Sequence, residues 1–282
     1  MSTGKRLRMG RLIDSYGVSL ICALDHGMTS PRFLDPLSDI QARAKEAIAG
    51  GSNAIMISKG MLRIAAEAFK PETAVCMLLS ASSRPQRDRP DIVAIAEVEE
   101  ALRLGADAVV LYVSLEGDDE PQMLRTLAAA GRECERLGVP LIAEAEFPTT
   151  YASVDGLASQ YGLEYLERNV RLCAELGADL IKTNWPGDEG GFARLVRAAN
   201  GLPVVHAGGS RISDAELLER QEAAMRAGAI GCSVGRNIFM HPHPEAMTRA
   251  LAAVIRERAP AADAAVALER QIEAGRATET AA

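Results

Sequence analysis

The stretch Ala178-Asp179-Leu180-Ile181-Lys182-Thr183-Asn184 sets a lysine inside a short apolar run. Burying an ammonium is costly unless it is paired, so a lysine there tends to shed its proton. The neutral amine is a nucleophile able to form a Schiff base with a carbonyl compound. The alternative is a side chain that has left the strand and points into solvent. Lys59, in Ser58-Lys59-Gly60, is a rival amine, but it lies past its own apolar run, where a surface or anion-binding lysine is expected.

Other polar groups follow apolar runs in the same way. Asp25 and His26 come directly after one of them; Asp25 is suited to orient a substrate hydroxyl or move a proton, or else to cap the next helix. His26 fits a hydrogen-bonding partner at the substrate site better than a base. Glu144 and Glu146, two residues apart, project to the same side of a strand, near Phe147, Pro148 and Tyr151. Two acids there are placed for acid/base work beside an iminium, unless the strand ends early and leaves one or both in solvent. Gly208-Gly209-Ser210 and Gly235-Arg236 close two further runs. Glycine turns let backbone N–H groups approach an anion, and Arg236 adds a charge-assisted contact.

These groups need a scaffold that gathers strand ends. Apolar runs occupy Val18 to Leu24, Ala54 to Ile57, Ala74 to Leu79, Ala108 to Val113, Pro140 to Ala145, Leu180 to Thr183, Pro203 to His206 and Ile230 to Val234. Segments with helical spacing lie between them: Asp39 to Ala49, Ile92 to Arg103, Pro121 to Leu137, Glu164 to Leu176, Gly191 to Ala199 and Asp214 to Ala227. The pairs Gly105-Ala106, Gly138-Val139, Gly177-Ala178 and Gly228-Ala229 read as helix ends turning into strands. Eight such units predict a closed (β/α)8 TIM barrel, with an open doubly wound sheet the weaker choice. Barrel chemistry sits at the C-terminal strand ends, and the last two loops are the usual phosphate corner. A phosphorylated carbonyl substrate follows from an amine on the sixth strand facing that corner.

The chain has 282 residues, 48% hydrophobic and 24% charged, with no linker-like stretch, which predicts one domain over residues 1–282. A basic segment (1–17) precedes the barrel and a helical tail (about 258–282) follows it. A net charge of -7 and a pI near 5.3 give no general attraction to nucleic acid or anionic lipid, so a small-molecule partner is expected. Cys22, Cys76, Cys134, Cys173 and Cys232 lack C-x-x-C spacing and read as buried free thiols of a reducing compartment. No run of 18 apolar residues occurs, and no signal-length apolar segment follows the basic start, so a cytoplasmic location is expected.

The chain resembles the archaeal-type class I fructose-bisphosphate aldolases (the DhnA, or DeoC-like, family), which include 2-amino-3,7-dideoxy-D-threo-hept-6-ulosonate synthase. The resemblance rests on ALDHG at 23–27, EEALRLGADAVVLYV at 99–113, AELGADLIKTNWPGD at 174–188, VVHAGGS at 204–210 and AGAIGCSVGRNIFMHPHPEAM at 227–247, with GKRLRMGRL near the start. It implies a (β/α)8 fold, a Schiff-base lysine at Lys182, a substrate-handling Asp25 and phosphate binding at Gly208, Gly209, Gly235 and Arg236. It also implies a homo-oligomer, with a decamer of two pentamers as one form. The family carries Tyr-Pro at the end of strand five, its phenol acting as proton donor, whereas this chain reads Glu146-Phe147-Pro148. Glu146, Glu144 or Tyr151 then replaces the phenol, or the reaction differs from ordinary fructose bisphosphate cleavage.

The expectation is a class I aldolase acting on a phosphorylated ketose, without a cofactor or metal ion. A thiolase-type acyl transfer of the autoinducer-2 processing kind would require coenzyme A, and a non-catalytic sugar-phosphate-binding protein would form no covalent adduct. A metal-dependent aldolase is disfavoured because His206, His241 and His243 make no convincing ligand set.

Overall fold

Apolar residues that alternate with nothing polar are stable as strands only where both faces are covered, and all eight runs satisfy that condition. In the computed structural model, which describes residues 1–83, 91–115, 119–148 and 153–280, they form β1 (Ser19–Ala23), β2 (Ala54–Ile57), β3 (Ala74–Leu78), β4 (Ala108–Val113), β5 (Leu141–Ala145), β6 (Leu180–Asn184), β7 (Val204–Ala207) and β8 (Gly231–Val234). Each strand pairs in parallel with the next, and β8 closes on β1, giving the expected (β/α)8 barrel. Helices lie between strands, and several of them begin on a side-chain cap. Asp39, Ser153, Asp188 and Ser213 each accept a hydrogen bond from a first-turn backbone N–H. Gly138 ends the helix Glu120–Leu137 at φ 69°, a left-handed conformation that favours glycine.

Two cores result. The outer one joins strands to helices; the inner one fills the lower barrel with Ile21, Ala54, Met56, Cys76, Val110, Ile142 and Leu180. The basic N-terminal segment folds as a helix, Thr3–Leu12, that lays Met9 and Leu12 against this inner core. Lys5 is buried beneath it between Asp179 and Glu135, each 2.9 Å away. With the lower end filled, the space available to a ligand lies at the C-terminal strand ends. The tail forms the helix Ala261–Thr280. All five cysteines are free and buried.

Two local expectations change. Ile92 begins no helix: Asp91–Ala94 pairs antiparallel with Ser80–Ser83, and the helix is only Val98–Arg103. The β-branched pair Ile92-Val93 suits either state, and a partner strand following β3 decides it. The helix placed at Glu164 starts ten residues earlier, at Val154, and is broken at Gly162 (φ 77°, ψ 173°). The segment after β8 is helical as well, at Arg236–Phe239 and Pro244–Ala252. Tyr151 lies outside the described residues. Among those residues, no helix is long and apolar enough to cross a membrane.

Candidate active site

Closing the sheet aligns polar residues that the sequence scatters. Tyr112 of β4 pairs in register with Glu144 of β5, and Glu144 with Lys182 of β6. All three side chains face the upper barrel and line one cavity. Asp25 and His26 enter it from the end of β1, Gly208 and Gly209 from the end of β7, and Gly235 and Arg236 from the end of β8. The cavity encloses about 750 Å³ of empty space when the solvent at its open mouth is included.

Lys182 is 8% exposed. Its Nζ donates a hydrogen bond to Glu144 and lies 3.0 Å from Glu146 Oε1. Burial alone drives the lysine pKa down, but the charges of Glu144, Glu146 and Asp25 and the bond to Glu144 outweigh it and hold the pKa above its ordinary value. The resting side chain is therefore an ammonium. The neutral amine expected from burial does not form, because burial here comes with two carboxylates in contact. Burial pushes the Glu144 carboxyl up, with Glu146 and Asp25 adding to the rise and Lys182 opposing it, to about 7. At Asp25 burial also pushes upward, but His26, 3.2 Å away, and the Lys182 charge prevail and bring it down to about 2. The site thus pairs an ionised Asp25 with a Glu144 poised near neutrality.

Strand five ends in a local kink. The Glu146 N–H bonds back to the Glu144 carbonyl at 3.0 Å, and the Phe147 N–H to Asn184 Oδ1 at 2.8 Å. Glu146 consequently keeps facing the cavity while Phe147 turns outward. Phe147 is 1% exposed and packs against Tyr161 and Tyr165, with ring centroids 6.1 Å away in each case. The only tyrosine lining the cavity among the described residues is Tyr112. Its hydroxyl donates to the Phe147 carbonyl, and burial, then Glu146, raise its pKa well above the ordinary phenol value.

The glycine turns are packed where a side chain would not fit. Gly209 has φ +63°, and a Cβ on it would lie 2.2 Å from Val154 Cγ2. A Cβ on Gly235 would lie 2.7 Å from both the Ala23 carbonyl oxygen and His26 Cε1. Sequence reasoning missed Asn237, which fixes the β7 loop: its Nδ2 donates to the Gly208 and Ser210 carbonyls at 3.2 and 3.1 Å, and its Oδ1 accepts from the Ile212 N–H. Ser210 joins this network through its carbonyl and does not line the cavity. Lys59 is excluded from the site as well; it binds Glu100 at 3.1 Å. His206 is a core residue bonded to Gln221 Oε1, with burial pushing its pKa down to about 4, and His241 faces Asp214.

A closed barrel that gathers a buried lysine and two carboxylates in one cavity at its strand ends is a scaffold suited to carbonyl chemistry. Residues 19–241 match the DeoC/LacD family aldolase pattern, and the chain belongs to that family. It is 37% identical to the 2-amino-3,7-dideoxy-D-threo-hept-6-ulosonate synthase of Halobacterium salinarum, over 91% of this chain and 93% of the relative. It is 33% identical to the 2-amino-4,5-dihydroxy-6-oxo-7-(phosphonooxy)heptanoate synthase of Streptomyces griseus, over 87% and 90%. Among solved structures, an archaeal fructose-1,6-bisphosphate aldolase with its catalytic lysine covalently bound to the carbinolamine intermediate superposes with a TM-score of 0.78. That pair shares 25% identity, covering 89% of this chain and 99% of the other. The protein is an enzyme of the class I aldolase type.

Proposed function

We propose that the enzyme makes or breaks a carbon–carbon bond in a phosphorylated ketose or related sugar phosphate through an iminium on Lys182. The observation that carries this reading is the position of the Lys182 Nζ. It is the sole lysine nitrogen lining the cavity among the described residues, and it shares that cavity with Gly208, Gly209, Gly235 and Arg236. The Streptomyces relative's name includes a phosphonooxy group, which agrees with an anion held by those turns. Both relatives are named synthases, which favours the condensing direction.

Lys182 attacks the ketone and water departs, leaving an iminium that acts as an electron sink. Loss of a proton from the adjacent carbon gives an enamine, which attacks an aldehyde; the reverse sequence cleaves the bond. Glu146, not Phe147, is the group that handles the carbon-bound proton, because it faces Nζ at 3.0 Å while Phe147 is turned into the outer core. Asp25, ionised across the neutral range, accepts a hydrogen bond from a substrate hydroxyl. His26, wedged between Phe33 and Phe239 at 5.6 and 5.3 Å, keeps Asp25 in place.

Borohydride reduction in the presence of dihydroxyacetone phosphate tests this. The expected product is a stable adduct on the peptide containing Lys182, absent from Lys182→Ala. Full turnover by Lys182→Ala, or an adduct on another lysine, would end the proposal.

A further inference from the structure

The pairing that makes Lys182 tolerable inside the barrel also removes the lone pair it needs. An ammonium attacks nothing, so its proton must first find an acceptor, and the nearest ones are in the cavity. The groups facing it are few. Asp25 and His26 come from the end of β1, Tyr112 from β4, Glu144 and Glu146 from β5, and Arg236, a cation that accepts no proton, from the end of β8; the His26 ring is turned to Asp25, 3.2 Å away. Tyr112 is a phenol that already donates to the Phe147 carbonyl. Asp25, held at about 2 largely by His26, is a poor acceptor. Glu146 Oε1 stands 3.0 Å from Nζ without the alignment of a hydrogen bond. Among the described residues Glu144 alone is hydrogen-bonded to Nζ, from the neighbouring strand and in register with it.

We infer that Glu144 takes the Lys182 proton before attack and returns it to the carbinolamine hydroxyl, which then leaves as water. This rests on the Schiff-base reading of Lys182. The step balances as follows. Transfer within the pair converts ammonium and carboxylate into amine and carboxylic acid. The nitrogen lone pair forms the N–C bond, the carbonyl π pair moves to oxygen, and a proton passes from nitrogen to that oxygen. Glu144 then protonates the hydroxyl, the C–O bond breaks and water departs. The iminium keeps one N–H, and Glu144 is a carboxylate again. An ammonium has become an iminium with no change in total charge.

The donor count assigns separate tasks to the two glutamates. Three ammonium N–H groups shrink to one on the iminium, which satisfies a single carboxylate. Glu144, already bonded, retains it, and Glu146 is left free to work at the adjacent carbon. The pKa of Glu144, pushed up to about 7 by burial and by its acidic neighbours, suits a group that must both gain and give up a proton near neutrality.

The test is the single-turnover rate of borohydride-trappable adduct formation with dihydroxyacetone phosphate, measured against pH. The wild-type rate rises as pH climbs through about 7, where Glu144 becomes able to accept, and then levels. Glu144→Gln slows the step about 100-fold at neutral pH, the scale of one acid–base group, and its rate climbs only in alkali. Glu144→Asp keeps the neutral limb at a reduced rate, and a variant of this kind lacking that limb would overturn the inference. So would a Glu144→Gln enzyme trapping adduct at the wild-type rate with an unchanged profile. Absence of adduct in the wild type would instead overturn the Schiff-base reading, and this inference with it.

Discussion

Lys182→Met removes one positive charge from between carboxylates that share a buried site and keeps most of the side-chain length. Asp25, Glu144 and Glu146 are then left facing one another. Breaking a buried ion pair by deleting one partner costs about 3–5 kcal/mol. At roughly 2–4 °C per kcal/mol for a chain of this size, Tm falls by roughly 6–20 °C at pH 8. The sign of the pH dependence follows from Glu144. Its folded pKa of about 7 already lies above the unfolded value of about 4.3, so the native state binds more protons between them and loses stability as pH rises through that window. Without Lys182 the attraction opposing that rise is gone, and the window extends above 7. The deficit relative to wild type is therefore largest at pH 8 and shrinks toward pH 5, where Glu144 is protonated. Thermal melts followed by circular dichroism from pH 5 to 8 at fixed ionic strength read this directly. Lys182→Met/Glu144→Gln recovers part of the loss at pH 8. A variant that tracks the wild type at every pH, or that loses more at pH 5 than at pH 8, would refute the electrostatic account of the site.

Three further outcomes follow from the same geometry. Phe147→Tyr does not raise turnover, since the added hydroxyl enters the outer core beside Tyr161 and Tyr165; left unpaired there it lowers stability by about 1–3 kcal/mol, checked by chemical denaturation. Gly209→Ala forces a strained φ and a contact with Val154, so KM for the phosphorylated substrate rises at least about tenfold, corresponding to about 1.4 kcal/mol; an unchanged KM would remove Gly209 from the anion site. Glu146→Gln still forms the borohydride-trapped adduct but loses about 100-fold or more in exchange of the substrate's carbon-bound proton with deuterated solvent, followed by NMR. Equal loss of both would mean that the two glutamates do not divide the work.

The barrel was legible because each strand is a largely apolar run, buried on both faces, and several are announced by a glycine that ends the preceding helix; no strand boundary departs from expectation by more than one residue. The hairpin at Ser80–Ser83 and Asp91–Ala94 was not, because Ile92 and Val93 carry no helical or strand signal that survives without knowledge of the partner. The residues that meet at the cavity were readable as strand-end polar groups. Their electrostatics were not. Lys182 judged by its own burial is a neutral amine; only the register that sets Glu144 beside it shows an ammonium. Likewise, period-two alternation puts Glu144 and Glu146 on one face, but the turn that keeps Glu146 inward and sends Phe147 outward depends on Asn184, a residue of the next strand. Asn237 carried no signal of its own, since its role is to hold carbonyls of a loop that lies 27 residues earlier.

A crystal of the enzyme soaked with dihydroxyacetone phosphate shows whether Lys182 bonds covalently to a ketone. The expected density is continuous from Lys182 Nζ to the ketone carbon, with Glu144 against the nitrogen, Glu146 facing the adjacent carbon and the phosphate against Gly208, Gly209, Gly235 and Arg236. A ligand seated in the cavity with no bond to Lys182, or with its phosphate away from both glycine turns, would contradict it.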